Sequence, residues 1–269
     1  MKDILNEVIL HLNSEKGEYC RIKHKKGWLG YLEDGDIVFK PKELHEILRK
    51  VIDKEGNRPK GEKLFHLEKK FNFTITKDKR PYRTEEALER FIIVSNAGNF
   101  HNQIPVGGGK ESIDIGVKES ESKFIFVELK PWMSKNSPLY AIVESLKNLI
   151  EYRIILERKI KNIQRFKEIE ILVLAPLEYY QRYGFINRSG KKDESRIDTV
   201  SKTLNDLGLE FNVKISCRIL HIDRHRFNDT CRRLYNELGV IGQSSISVPK
   251  EYSIDSLKID NWEILVASN

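Results

Sequence analysis

Cysteine is scarce in this chain of 269 residues: Cys20, Cys217 and Cys231 are scattered, odd in number and without metal-ligand spacing. That argues against a disulfide-stapled scaffold and a cysteine zinc site, and it suits reduced thiols in a cytoplasm. Long hydrophobic runs are missing too, since nothing approaches the ~20 apolar residues that cross a bilayer. The opening stretch, MKDILNEVILHLNSEKGEY, has acids inside its apolar part and no cleavage site, so no secretory signal is expected. There is no internal repeat and no low-complexity tract. What is there is a mixed composition, 32% charged against 39% hydrophobic, which predicts a globular fold rather than disorder. The net charge of +7, with a pI near 9.1, favours a polyanionic partner such as nucleic acid.

The periodicity predicts an α/β protein. An amphipathic helix over 2–13, short strands at 18–24, 28–32 and 36–39, and a helix over 42–52 make a small N-terminal α/β module. It stops at Glu55-Gly56-Asn57-Arg58-Pro59-Lys60-Gly61. This divides the chain into a module at 1–60, a main domain at 61–240 and a C-terminal extension at 241–269. The main domain starts with a strand at 71–76 and a helix entered at Thr84, with Leu88, Phe91, Ile92 and Val94 inward. A hairpin over 111–130 and a long helix over 137–165 follow. Then come a buried strand, EILVLA, at 170–175, helices near 176–184 and 193–207, a strand near 211–222 and a helix near 225–238. One strand at 262–267 sits in an otherwise irregular tail.

The hairpin carries the chemistry. With alternating faces, Ile113, Ile115 and Val117 point one way, as do Ile125, Val127 and Leu129. Asp114, Gly116, Phe126, Glu128 and Lys130 take the other face. A turn at Glu119-Ser120-Glu121-Ser122 sets Asp114 opposite Glu128, their Cβ atoms about 5 Å apart. Two like charges there repel unless something compensates. A divalent cation does so, and hard oxygen donors suit Mg²⁺. Lys130, two residues on, is placed to meet an anion that the metal also touches. The competing reading is a charged strand face turned to water.

Asp114 followed by Glu128-Leu129-Lys130 resembles the PD-(D/E)xK nuclease superfamily, although Ile113 stands where its motif has proline. Glu89-Arg90-Phe91, Gly98-Asn99-Phe100 and Ile104-Pro105-Val106-Gly107-Gly108-Gly109 are similar in order to archaeal Holliday-junction resolvases. Ala141-Ile142-Val143-Glu144 opens a long helix where the superfamily has one. The likeness covers roughly residues 81–180. It implies a restriction-endonuclease-like core, a central mixed sheet flanked by helices, and hydrolysis of phosphodiester bonds, most readily in DNA. It also implies Mg²⁺, or Mn²⁺ in its place, held by Asp114, Glu128, the Leu129 carbonyl and Glu89, with Glu85 and Glu86 as rivals for the helix carboxylate. Lys130 would orient the attacking water or balance charge. Restriction, phage defence and repair are the family's habits, and double-strand cutting implies a homodimer or repeated nicking. The alternatives are a non-cleaving nucleic-acid-binding or scaffold protein on the same fold, and an unrelated α/β protein.

Other motifs carry less. Gly107-Gly108-Gly109-Lys110 is not a nucleotide loop, because that pattern needs glycine at Ile104 and Ser or Thr at Glu111. It reads instead as a turn that lets DNA approach, or as a plain connector, with His101 and Gln103 just before it. His221, Asp223 and His225 alternate and could share a metal on a strand, or else contact phosphate. Basic clusters occur at 23–26, 77–83, 158–161, 191–192 and 232–233. Lys25 and Lys26 beside Trp28, together with Lys110, are the expected nucleic-acid contacts, because aromatics beside lysines can stack on bases.

Overall fold

The computed structural model describes residues 41–54, 65, 67, 69–74, 84–96, 98–106, 112–157, 163–237 and 245–268. Six strands form one mixed sheet: β2 (Phe100–Pro105), β3 (Ser112–Lys118), β4 (Lys123–Leu129), β5 (Glu168–Pro176), β6 (Lys214–Leu220) and β8 (Glu263–Ala267), in the order β2-β3-β4-β5-β6-β8. β4, β5 and β6 run parallel, while β2, β3 and β8 are antiparallel to their neighbours. β1 (Asn72–Thr74) and β7 (Ser245–Ser247) form a separate two-stranded ribbon.

Parallel strands need covered faces, and the residues of β5 show both. Ile171, Val173 and Ala175 enter one core with helices α1 (Pro41–Lys54), α3 (Pro138–Glu157), α4 (Leu177–Arg182) and α5 (Glu194–Phe211). Leu172 and Leu174 enter a second core with α2 (Thr84–Ser95), α6 (Arg224–Glu237) and the turns before β8. The result is an α/β protein with a six-stranded mixed sheet flanked by helices. Among the described residues, no helix is long and apolar enough to cross a membrane.

The expected elements from β1 to β8 are present, with ends moved by a few residues. Strand β2 was not expected, since its His and Asn residues lower the apparent strand signal. The domain divisions at 60 and 240 do not separate independent packing units here. Leu44, Leu48 and Ile52 of α1 share the core of α3 and α5, and the His45 ring stacks on Phe211 at 4.7 Å. At the other end, β8 is a strand of the main sheet. Residues 1–40 lie outside the described set and with them Lys25, Lys26 and Trp28. The 107–111 turn with Lys110, and the 77–83 and 158–161 clusters, lie outside it as well.

The hairpin has the expected register, Ile115 opposite Val127 and Gly116 opposite Phe126. Its faces depart from simple alternation at one residue, Ile113. Phe126, expected beside the charges, is buried together with Phe124 in the first core, so that face is covered too. Ile113 also joins the first core, apart from Ile115 and Val117. Pairing of β2 with β3 skips the Gln103–Asp114 step, where Gln103 adopts φ 52, and this irregularity turns the strand.

Both edges of the sheet are occupied. On β2, the Asn102 side chain accepts from the Lys70 N–H at 2.7 Å and donates to the Lys70 carbonyl at 3.0 Å. On β8, the carbonyls of Ile264 and Ala267 accept from Lys192 Nζ at 3.3 Å and Ser201 Oγ at 3.1 Å.

Gly116 sits mid-strand where a Cβ would collide with Ile104 Cδ1 and the Phe124 ring. Gly116→Ala is therefore expected to lower stability by about 1–3 kcal/mol through overpacking, read by urea denaturation. A variant as stable as the parent would show that this face is loosely packed.

Candidate active site

The ladder between β3 and β4 ends at the Ile115–Val127 pair, and Asp114 and Glu128 are the next residue on each strand. The Leu129 N–H donates to Asp114 Oδ2 at 2.9 Å, tying the two strand ends together. Glu128 and Lys130 point into the first-core face. Lys130 Nζ donates to Glu128 Oε1 and, at 3.3 Å, to Glu144 Oε2 on α3. Glu128 is 5% exposed and Lys130 4%. A charged strand face turned to water is excluded by those two numbers.

Burying this many charges needs a cause. Asp114, Glu128, Glu144 and Glu85 all act electrostatically on one ammonium. Burial works to lower the Lys130 ammonium, but Glu128 and the other three carboxylates outweigh it and hold it well above its ordinary value. Burial pushes Asp114 well up, with Glu85 adding to the effect and Lys130 opposing it. Glu128 is likewise pushed well up by burial, then by Asp114 and Glu144. Glu85 retains exposed surface; loss of hydration at its carboxyl raises it, Lys130 lowers it and Glu144 raises it. Tyr140, beside Glu144, is pushed to about 12 by burial first. One cation among four acids leaves a site short of positive charge.

Glu89, the expected helix carboxylate, is buried at 2% exposure and already held. It accepts from Arg90 Nη1, from Asn102 Nδ2 at 2.8 Å and from Gln103 Nε2 at 2.7 Å. Arg90 in turn donates to the Asn72 carbonyl at 2.7 Å. This network fastens α2 to the edge strand β2 and fixes Gln103 in its left-handed backbone. Burial pushes Glu89 up to about 7 despite Arg90. Of the helix carboxylates, Glu85 acts on Asp114 more strongly than Glu89 does. Glu86 pairs instead with Arg90 at 3.7 Å.

Glu144 is the site residue that the sequence reading left without a role. Its signal was a single acid in the run Leu139-Tyr140-Ala141-Ile142-Val143-Glu144-Ser145-Leu146, where the neighbours are buried. The His221, Asp223 and His225 group does not converge. His221 Nε2 bonds Glu263 at 2.7 Å, while Asp223 caps α6 by accepting from the Arg226 N–H at 2.8 Å. His101 lies half-buried on β2, its imidazole lowered by burial and by Lys69 and Lys118.

Among the described residues, no three His, Cys, Asp or Glu side chains stand together as a ready metal cage. The acids come from separate elements, and the Lys130 ammonium sits between two of them. The donor set still suits a hard cation: carboxylate oxygens of Asp114 and Glu128 with the Leu129 backbone between. Fold and site together define a three-layer α/β protein with a buried acid–lysine cluster where β3 and β4 meet. Comparison with family models, with curated proteins and with solved structures returns no match.

Glu89 gives the molecule a pH signature. A carboxyl raised in the folded state contributes stability that is complete below its ordinary pKa and is lost as pH rises through the folded value. Stability should therefore fall between pH 4.5 and about 7, by on the order of 3 kcal/mol from this group. Asp114 and Glu128 act in the same direction. Urea denaturation across that range should show a shallower decline in Glu89→Gln, and an equal slope would remove Glu89 as a source.

Proposed function

We propose that the chain is a metal-dependent nuclease that hydrolyses phosphodiester bonds, in DNA by preference, on a restriction-endonuclease-like core. The observation that carries this reading is the convergence of Asp114, Glu128 and Lys130 at the end of one hairpin, with Glu128 and Lys130 buried and Asp114 part-buried. The order of α2, β2, β3, β4 and α3 supports it. So does the PD-(D/E)xK likeness of Asp114 and Glu128-Leu129-Lys130.

Asp114 and Glu128, with the Leu129 carbonyl, would hold Mg²⁺ or Mn²⁺, and Glu85 is the best-placed helix carboxylate to complete the set. When bound, such an ion polarises the scissile phosphate and lowers the pKa of a water. Lys130 stays protonated at neutral pH, because its surroundings raise it. It therefore serves as a fixed cation that orients water and offsets charge building on the phosphate, not as a base. Glu144 holds that ammonium in place from the helix side. Glu89 acts through Asn102 and Gln103 as a positioning residue for β2 beside Asp114.

A second reading is a non-cleaving nucleic-acid-binding or scaffold protein. The direct pairing of Lys130 with both Glu128 and Glu144 favours it.

A cleavage assay on plasmid, linear duplex and single-stranded DNA and RNA, with Mg²⁺ or Mn²⁺, separates the two. Asp114→Ala and Lys130→Ala are expected to lose about 10²-fold or more of the rate while keeping substrate binding. The metal should also raise the melting temperature of the parent protein and not of Asp114→Ala, as expected for a ligand that binds the folded state. Undiminished cleavage by Lys130→Ala sinks the assignment. No cleavage and no metal-dependent stabilisation leave the binding reading.

A further inference from the structure

The carboxyl ends of the parallel strands carry a second feature that the acid cluster does not use. After β4 the chain turns through residues 131–137, and after β6 it turns through 221–223 into α6. Trp132 of the first turn and Phe227 of α6 pack together, ring centroids 5.4 Å apart, so the two segments form one rim. Trp132 is buried, yet the next residue, Met133, is 52% exposed. The turn is braced from behind, which makes that exposure a property of a fixed surface. Arg182 donates to the Ser134 carbonyl at 2.9 Å, the Tyr179 hydroxyl to the Asn136 carbonyl at 2.9 Å, and the Ser134 N–H to the Pro131 carbonyl at 3.0 Å. Lys135 stands exposed on the same turn.

Across the Trp132–Phe227 contact, α6 opens with Arg224-His225-Arg226. Cationic side chains in a first turn face the positive end of the helix and oppose its stability. Asp223 already supplies the cap, so the arginines are not needed there. Arg224 and Arg226 form no ion pair among the described residues. Farther along the same helix, Arg232 pairs with Asp229 at 3.2 Å and Arg233 with Glu237 at 3.7 Å. The rim therefore offers unpaired guanidinium groups, a lysine and one exposed apolar side chain. It begins directly after Lys130, on the edge of an open α/β sheet where ligands generally bind.

The geometry points to this rim as the surface that holds the sugar–phosphate backbone of a nucleic acid over the acid cluster, an inference that takes its substrate from the nuclease reading. Arg224, Arg226 and Lys135 meet phosphates, and Met133 lies against a base or sugar face. This also accounts for how an acidic site can attract a polyanion: the rim adds cations to the single ammonium of Lys130 within the cluster.

The test is binding of fluorescent duplex DNA, single-stranded DNA and single-stranded RNA, followed by anisotropy in EDTA across a salt series, so that no cleavage is required. The Arg224→Ala/Arg226→Ala variant is compared with Arg232→Ala/Arg233→Ala on the same helix, and both are checked by thermal melting. The first should bind ~10-fold or more weakly, with the slope of log affinity against log salt on duplex DNA reduced by about 2, and the second should match the parent. Equal affinity for the two variants, or no binding by the parent to any of the three nucleic acids, overturns the proposal. Preserved rim-dependent binding with no cleavage by the parent overturns the nuclease reading and leaves the rim standing.

Discussion

The interaction on which this structure depends is the placing of one ammonium among several carboxylates at the end of β4. Lys130 cannot be buried alone, and neither can Glu128 or Asp114. Each is tolerable only because the others stand within reach. Helices cover both faces of the sheet, so among the described residues Glu128 and Lys130 are left only 5% and 4% exposed. The sheet that makes the core stable is thus the same object that concentrates charge at its rim. Stability and chemistry make opposite demands there, and the excess of acid over base is where they meet.

Much of this was legible in the sequence because hairpin alternation is a short-range property. Seven-residue strands around a four-residue turn leave little freedom of register, and Ile115 falls opposite Val127 as expected. The strongly apolar segments, EILVLA above all, have few ways to be satisfied except as buried strands. Glu144 was not legible in the same sense. Its contact with Lys130 is made across helix and sheet, and its one local trace is being a lone acid among buried neighbours, which does not name a partner. Glu89 shows the converse. Its place on the helix suggested a ligand, but its contacts with Asn102 and Gln103 depend on β2, a strand that the pattern of His, Asn and Gln conceals.

Ile113 shows how one backbone irregularity overrides a pattern. Alternation assigns it to the side of Ile115, yet the left-handed turn at Gln103 interrupts the ladder and sends it to the opposite core. A non-glycine residue at positive φ leaves no reliable trace in composition. The packing of the helix at 41–54 and the strand at 263–267 was not legible for a related reason. A helix at 41–54 and a strand at 263–267 look like separate pieces because their partners are far away in sequence, and only tertiary packing unites them with the core.

The two occupied sheet edges bear on assembly. Strand β2 is taken up by the Asn102 clasp on Lys70, and β8 has carbonyls engaged by Lys192 and Ser201. A neighbouring copy continuing the sheet at these positions would compete with contacts made within a single chain. Two copies that came together would then meet through helices or loops. The spacing of their sites would be set by side-chain packing rather than by the fixed repeat of a shared sheet.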